Sequence, residues 1–115
     1  MAHIIPVLPS SDIERDLEWY EKHTGFCHYF EDRGYAGLRR NNLEFHLQHH
    51  HGTKEDPIIG SMMKIFVKDI YPLHAEFMER CTVKKGSLQL NTPWGTHEFG
   101  FNDLNQNAIF IVQDT

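Results

Sequence analysis

The feature that most constrains this chain is a repeat of pattern rather than of residues. Asp69-Ile70 follows Asp12-Ile13 at an offset of 57 residues, and the same offset sets Met62 against Ile5. Each Asp-Ile pair stands where an apolar run of strand type gives way to helical spacing. Two halves that agree in element order and cap position, without agreeing in residue identity, point to two copies of one supersecondary unit.

Residues 4–8 are a short apolar run closed by Pro9, as a first strand requires. Ser11 and Glu14 have the spacing of a capping box, with Ile13, Leu17 and Tyr20 following at helical intervals. Gly25 ends that helix where a positive φ costs little. Residues 26–30, 35–40 and 43–48 read as strands. The turn at 31–34 separates the first two, and Asn41-Asn42 forms a hairpin turn that tolerates left-handed backbone. The polar stretch 49–60, with Pro57 and two glycines, reads as a connection. Beyond it come a strand over 62–68, a helix capped at Asp69 or Tyr71 with Pro72 in its first turn, and an apolar helix face from Leu73, Phe77 and Met78. Strands at 87–91, 98–102 and 108–113 complete the second unit. The expected fold class is α+β, a single domain over 1–115. It holds two βαβββ modules, one at about 1–50 and one at about 61–115, joined by a linker at about 51–60.

With 11 Lys plus Arg against 16 Asp plus Glu, the formal charge is −5. No basic stripe suits nucleic acid. No apolar run nears the ~20 residues that span a bilayer, and Met1-Ala2-His3 runs straight into an apolar segment without a basic leader. A cytoplasmic protein is expected. Cys27 and Cys81 are expected to be free thiols acting as small buried apolar residues. His49-His50-His51 reads as a solvated loop start, since neighbouring side chains of an extended chain alternate in direction. Arg39-Arg40 reads as a solvated hairpin end.

Ile5-Pro6-Val7-Leu8-Pro9-Ser10-Ser11-Asp12, with Trp19-Tyr20-Glu21 and Gly25-Phe26, resembles the opening strand and helix of the bleomycin-resistance proteins. These belong to the vicinal oxygen chelate superfamily, with the glyoxalases and extradiol dioxygenases. The stretch from Leu38 to Phe45 resembles that family's third and fourth strands, and Pro93-Trp94-Gly95-Thr96-His97-Glu98-Phe99 its closing hairpin. One departure is plain: the family's Asp-Pro-Asp-Gly turn reads Asp103-Leu104-Asn105-Gln106, and the glycine is gone.

The resemblance implies curled sheets that pack one face on a helix and offer the other as a cleft wall. Period-two alternation then sends Leu43, Phe45, Leu47, Met63, Ile65, Val67, Phe99, Phe101, Ile109 and Ile111 inward. Glu44, His46, Gln48, Met62, Lys64, Phe66, Glu98, Gly100, Ala108 and Phe110 line the cleft. The positions that match the family's metal ligands are Ile5, Met62 and Phe110, none of which suits a hard or borderline divalent ion. No metal and no cofactor is therefore expected.

The expected ligand-binding residues are Tyr35, Glu44, His46, Phe66, Trp94, Glu98 and Phe110, with no catalytic residue. Such an aromatic wall with a few carboxylates suits a large planar or cationic molecule. The resemblance implies a non-catalytic protein that sequesters an antibiotic-type ligand. It also implies a homodimer, with exchange of the first strand hinging near Pro9. The alternative is a lyase or isomerase of the glyoxalase/dioxygenase type, working at an atypical metal site of His46 and Glu98.

Overall fold

The computed structural model describes residues 2–115. The first module is β1 (Val7–Ser10), α1 (Ile13–Thr24), β2 (Cys27–Asp32), β3 (Tyr35–Arg40) and β4 (Leu43–His49). The second is β5 (Met62–Phe66), α2 (Ile70–Glu79), a 3₁₀ turn at Lys85–Ser87, β6 (Thr96–Asn102) and β7 (Ala108–Asp114). The first sheet has the order β1-β4-β3-β2, with β1 parallel to β4; the second has the order β5-β7-β6, with β5 parallel to β7.

The two helices begin alike. Asp12 caps α1 by accepting from the Arg15 amide, and Asp69 caps α2 by accepting from the Tyr71 amide, so the 57-residue offset joins two true N-caps. The capping box expected at Ser11 is corrected by one residue. Ser11 instead turns its hydroxyl and amide to the Asn105 side chain of the second module. Both helices end on a left-handed residue: Gly25 with φ 75° beyond α1, and Cys81 with φ 62°, one residue after right-handed Arg80, beyond α2.

The strand expected at 87–91 is corrected too. It survives as a single antiparallel bridge between Gln89 and Glu98. Asn91 takes left-handed backbone at φ 54° and the chain turns between Thr92 and Gly95, so no ladder builds on that pair, and the second sheet keeps three strands against four.

Alternation places the inner faces as expected. Phe45, Leu47, Phe99, Ile109 and Ile111 are buried with Leu17, Tyr20, Ile70 and Phe77 in one apolar core that both modules share. Two further links tie the modules. Tyr20 donates to Asp103 at 2.6 Å, and Asn107 donates to Asp103 and to the Pro9 carbonyl. At the far end of α1, Arg40 grips Glu76 with two bonds of 2.6 Å and caps the Thr24 carbonyl, while Arg80 bonds Glu76 and the Glu21 and Lys22 carbonyls. Arg40 is thus a partly buried clamp between modules, not the solvated hairpin end read from Arg39-Arg40. The paired guanidiniums hold the Glu76 carboxyl down at about 2. The turn 103–107 survives without its glycine because Asp103 accepts from the Asn105 and Asn107 amides, with Gln106 forced to φ 63°.

Candidate functional site

The face of the first sheet that points away from the core is built around His46. Val7 and Gly37 flank it in register, on β1 and β3. The Tyr35 hydroxyl lies 2.8 Å from Nδ1, Glu44 3.0 Å from Nε2, and the Tyr29 hydroxyl 3.3 Å from Nε2. A carboxylate only accepts, so Nε2 carries the proton and Nδ1 accepts from Tyr35. Phe30 meets the imidazole edge-on, and the Arg39 guanidinium lies 3.7 Å from the Tyr29 ring centroid and 3.7 Å from Glu44. Tyr35, Glu44 and His46 are therefore brought together in one hydrogen-bonded group.

Tyr29, Phe30 and Arg39 complete that group and were missed in the sequence. Adjacent strand residues should point to opposite faces, but the pairing of β2 shifts between His28 and Phe30. The bulge turns Tyr29 and Phe30 to the same side, where both rings crowd Gly37. A Cβ on Gly37 would run into the Phe30 ring.

The second sheet repeats that device with other partners. Gly100 pairs with Phe110, and the Phe110 ring lies across it, 2.7 Å from where a Cβ would be. Two residues along β6, Glu98 accepts from the Trp94 indole at 3.2 Å and from Thr96 at 2.9 Å. Glu98 faces away from the core, as alternation requires, but it is buried rather than open on a wall, because the Trp94 loop and the Gln89 bridge cover it. Phe66 and Met62 are exposed on β5.

The aromatic set read from the sequence is not one wall. Tyr35 belongs to the His46 group, Trp94 to Glu98, and Phe110 lies over Gly100. Phe66 and Glu44 meet along a groove of about 370 Å³ lined also by Ile4, Ile5, Asn42 and Lys64. Glu98 does not pair with His46: each is bonded within its own sheet.

Several solved structures are similar to this chain. The bleomycin resistance determinant encoded on the transposon Tn5 superposes with a TM-score of 0.77 at 22% identity, over 99% of this chain and 98% of that one. The fold is that of the bleomycin-resistance proteins. The bleomycin-binding protein of Streptomyces verticillus, solved with copper(II)-bleomycin, gives 0.77 at 22% identity, over 100% and 98% of the two chains. A glyoxalase-related enzyme from Clostridium phytofermentans gives 0.77 at 17%, over 100% and 96%. The sequence matches no family model and no curated protein.

Within the bleomycin-resistance fold, the positions that the resemblance matches to metal ligands do not fit a metal. Ile5 lines the groove and Phe110 lies on Gly100, both without a donor atom, and Met62 offers only a soft thioether. Among the described residues, no three His, Cys, Asp or Glu side chains converge.

The cysteines correct an expectation. Both are exposed rather than buried, and both are free. Desolvation and the neighbouring Glu21 carboxylate push the Cys27 thiol up, which keeps it protonated and a poor nucleophile. His49 and His51 converge, with ring centroids 4.6 Å apart, while His50 turns to Asp56. No helix of the described residues is long and apolar enough to cross a membrane.

Proposed function

We propose that this chain is a non-catalytic binding protein that captures a planar, antibiotic-type small molecule and holds it without making a bond. The observation that carries this reading is the ring laid across a glycine on the outer face of each sheet: Phe30 over Gly37 and Phe110 over Gly100. A ring flattened on a strand gives a planar ligand a rigid stacking surface with little side-chain entropy left to lose. Trp94, bonded to Glu98 through its indole N–H, and Phe66 are exposed beside the second platform, and Tyr35, Glu44 and His46 border the first. Two fold relatives described as bleomycin-binding make bleomycin the first ligand to try.

A second copy of the chain completes the proposed site. Met62, Phe66 and Trp94 are exposed by 56–64%, and a homodimer would close the half-open platforms. The exchange near Pro9 suggested by the resemblance would form the β1–β4 pairing and the Asn107 bond to the Pro9 carbonyl between chains instead of within one.

The test is a bleomycin titration read by Trp94 emission, with light scattering for the dimer. A saturable change at one ligand per chain supports capture, and Phe110→Ala should weaken it about tenfold, the loss of one good stacking contact. No emission change at high drug would remove bleomycin. Stoichiometric tightly bound metal in untagged protein, lost in His46→Ala, would instead favour the glyoxalase-type enzyme.

A further inference from the structure

We infer that His49 and His51 form a two-imidazole chelate for a late first-row divalent ion, copper(II) first, where β4 passes into the connection between modules. His49 is the last residue of β4. Alternation carried two residues further puts the first and third histidines of the run on one side and the second on the other. The structure follows that count. The His49 and His51 rings meet with centroids 4.6 Å apart and planes at 78°, while His50 turns to Asp56 at 3.3 Å and accepts from the Gly52 amide. By the same alternation His49 lies on the face of β4 opposite to His46.

The pair is set apart from the other histidines. His23, His46, His50, His74 and His97 each have a hydrogen-bond partner in the chain. Among the described residues the His49 and His51 imidazoles have none, and they are the one pair of imidazoles in ring contact. The backbone beneath them is fixed. The His49 amide donates to the Gly34 carbonyl at 2.7 Å and the His50 amide to the Ser10 carbonyl at 2.8 Å. Gly34 also admits the His49 Cβ closely, since a Cβ of its own would stand 3.1 Å away. Two ligands tied to a fixed backbone leave less ordering to be done when an ion arrives.

The spacing selects the ion. Imidazole nitrogen binds a divalent metal at about 2.0–2.1 Å, so each ring centroid lies roughly 3.2 Å from the ion. Two such rings stand about 4.5 Å apart at a right angle and about 5.2 Å apart at the tetrahedral angle. The observed 4.6 Å fits the right angle of a tetragonal ion, the geometry of copper(II) and nickel(II), better than the tetrahedral angle of zinc. Of the first-row divalent ions copper(II) binds such nitrogen sites most tightly. Water fills the remaining positions of an ion held by two side chains at a loop.

Copper(II) titrated near neutral pH into the whole chain without a histidine tag tests this, by calorimetry and electron paramagnetic resonance. The protein carries His3→Ala, so that the histidine nearest the amino terminus cannot compete. The expected result is one ion per chain with two nitrogens in its equatorial plane. His49→Ala and His51→Ala should each weaken binding at least about tenfold, while His50→Ala and His46→Ala leave it within about twofold. His51 is exposed, so its variant decides the matter even where His49→Ala fails to fold, which circular dichroism shows. Equal affinity in all four variants, or an equal loss in His50→Ala, means an adventitious ion on single imidazoles and overturns the chelate. Loss confined to His46→Ala overturns it too and puts the metal on the glyoxalase-type alternative.

Discussion

The outer faces of the two sheets are built by the same rule and left in opposite states. In the first module an aromatic ring covers a glycine, and everything around it is already partnered. His46 is bonded on both nitrogens, Glu44 meets the Arg39 guanidinium and the His46 N–H, and Arg39 rests on Tyr29. In the second module a ring again covers a glycine, but the neighbouring carboxylate lacks a cation and the neighbouring aromatics are exposed. The difference teaches that a shared architecture does not imply shared work. One face is held shaped by its own contacts, and the other leaves Glu98 without an ion pair and its aromatic rings exposed.

The largest effect that can break this comparison comes from filling the two glycines. Valine is a good strand residue, so local preference does not favour either site. At Gly37 a new side chain must displace Phe30 and Tyr29 together, both tied to His46. At Gly100 the side chain in the way is Phe110. Gly37→Val should cost about 3 kcal/mol and Gly100→Val about 1 kcal/mol, as overpacking of a tight and a loose site. Urea unfolding measures both, and the reverse order would mean that the first face is not the more rigid.

The comparison also needs both faces to belong to one body, and Glu76 is the joint. Glu76→Ala strands Arg40 and Arg80 and should cost about 2 kcal/mol, less than a fully buried pair because the side chains are partly exposed. The pH dependence has a definite sign. The folded carboxyl sits at about 2, below its ordinary 4.5, so its contribution is complete above pH 4.5 and disappears as pH falls toward 2. Denaturation curves of Glu76→Gln should therefore lose part of the slope between those two values. An unchanged acid limb would show that the clamp carries little stability.

Charge removal gives a smaller but sharper contrast, because the sign should differ between faces. Glu44→Gln leaves Arg39 and His46 without their carboxylate and should lower stability by about 0.5–1 kcal/mol. Glu98→Gln removes a buried charge that no cation meets, and keeps an acceptor for Trp94 and Thr96. It should leave stability unchanged or raise it by up to about 1 kcal/mol. Thermal melts of the two variants in parallel decide this. Equal losses would mean that Glu98 is already compensated.

What could be read from the sequence follows from what is local. Helices opening at Asp12-Ile13 and Asp69-Ile70, the turn at Asn41 and the inward set Phe45, Leu47, Phe99 and Ile111 are matters of spacing and alternation, and the structure bears them out, with the first cap on Asp12 rather than Ser11. Tyr35, Glu44 and His46 could be placed on one face by the same count, since β3 and β4 pair without slippage. Tyr29 and Phe30 could not, because one bulge between His28 and Phe30 defeats the alternation. Arg40 was misread because its partner lies 36 residues away on the other module. Glu98 was placed on the correct face with the wrong exposure, since what covers it is the Trp94 loop and a single bridge at Gln89, neither of which has a periodic signature.

The smallest predicted effect concerns the turns that close the two last hairpins. Both require left-handed backbone, at Asn41 with φ 54° and at Gln106 with φ 63°. Asparagine tolerates that region, whereas glutamine meets the full clash of its Cβ with the backbone. Glycine at either site removes the clash but gives the unfolded chain more freedom, so the two changes should not gain alike. Gln106→Gly should stabilise by about 0.5–1 kcal/mol and Asn41→Gly by no more than a few tenths, roughly, because less strain is relieved. The Gln106 side chain is exposed and Asp103 organises that turn from the backbone, so no other contact is lost with it. Urea midpoints of the two variants measure the gap, and a larger gain at Asn41 would show that the second module's turn, though it lacks glycine, is the better relaxed of the two.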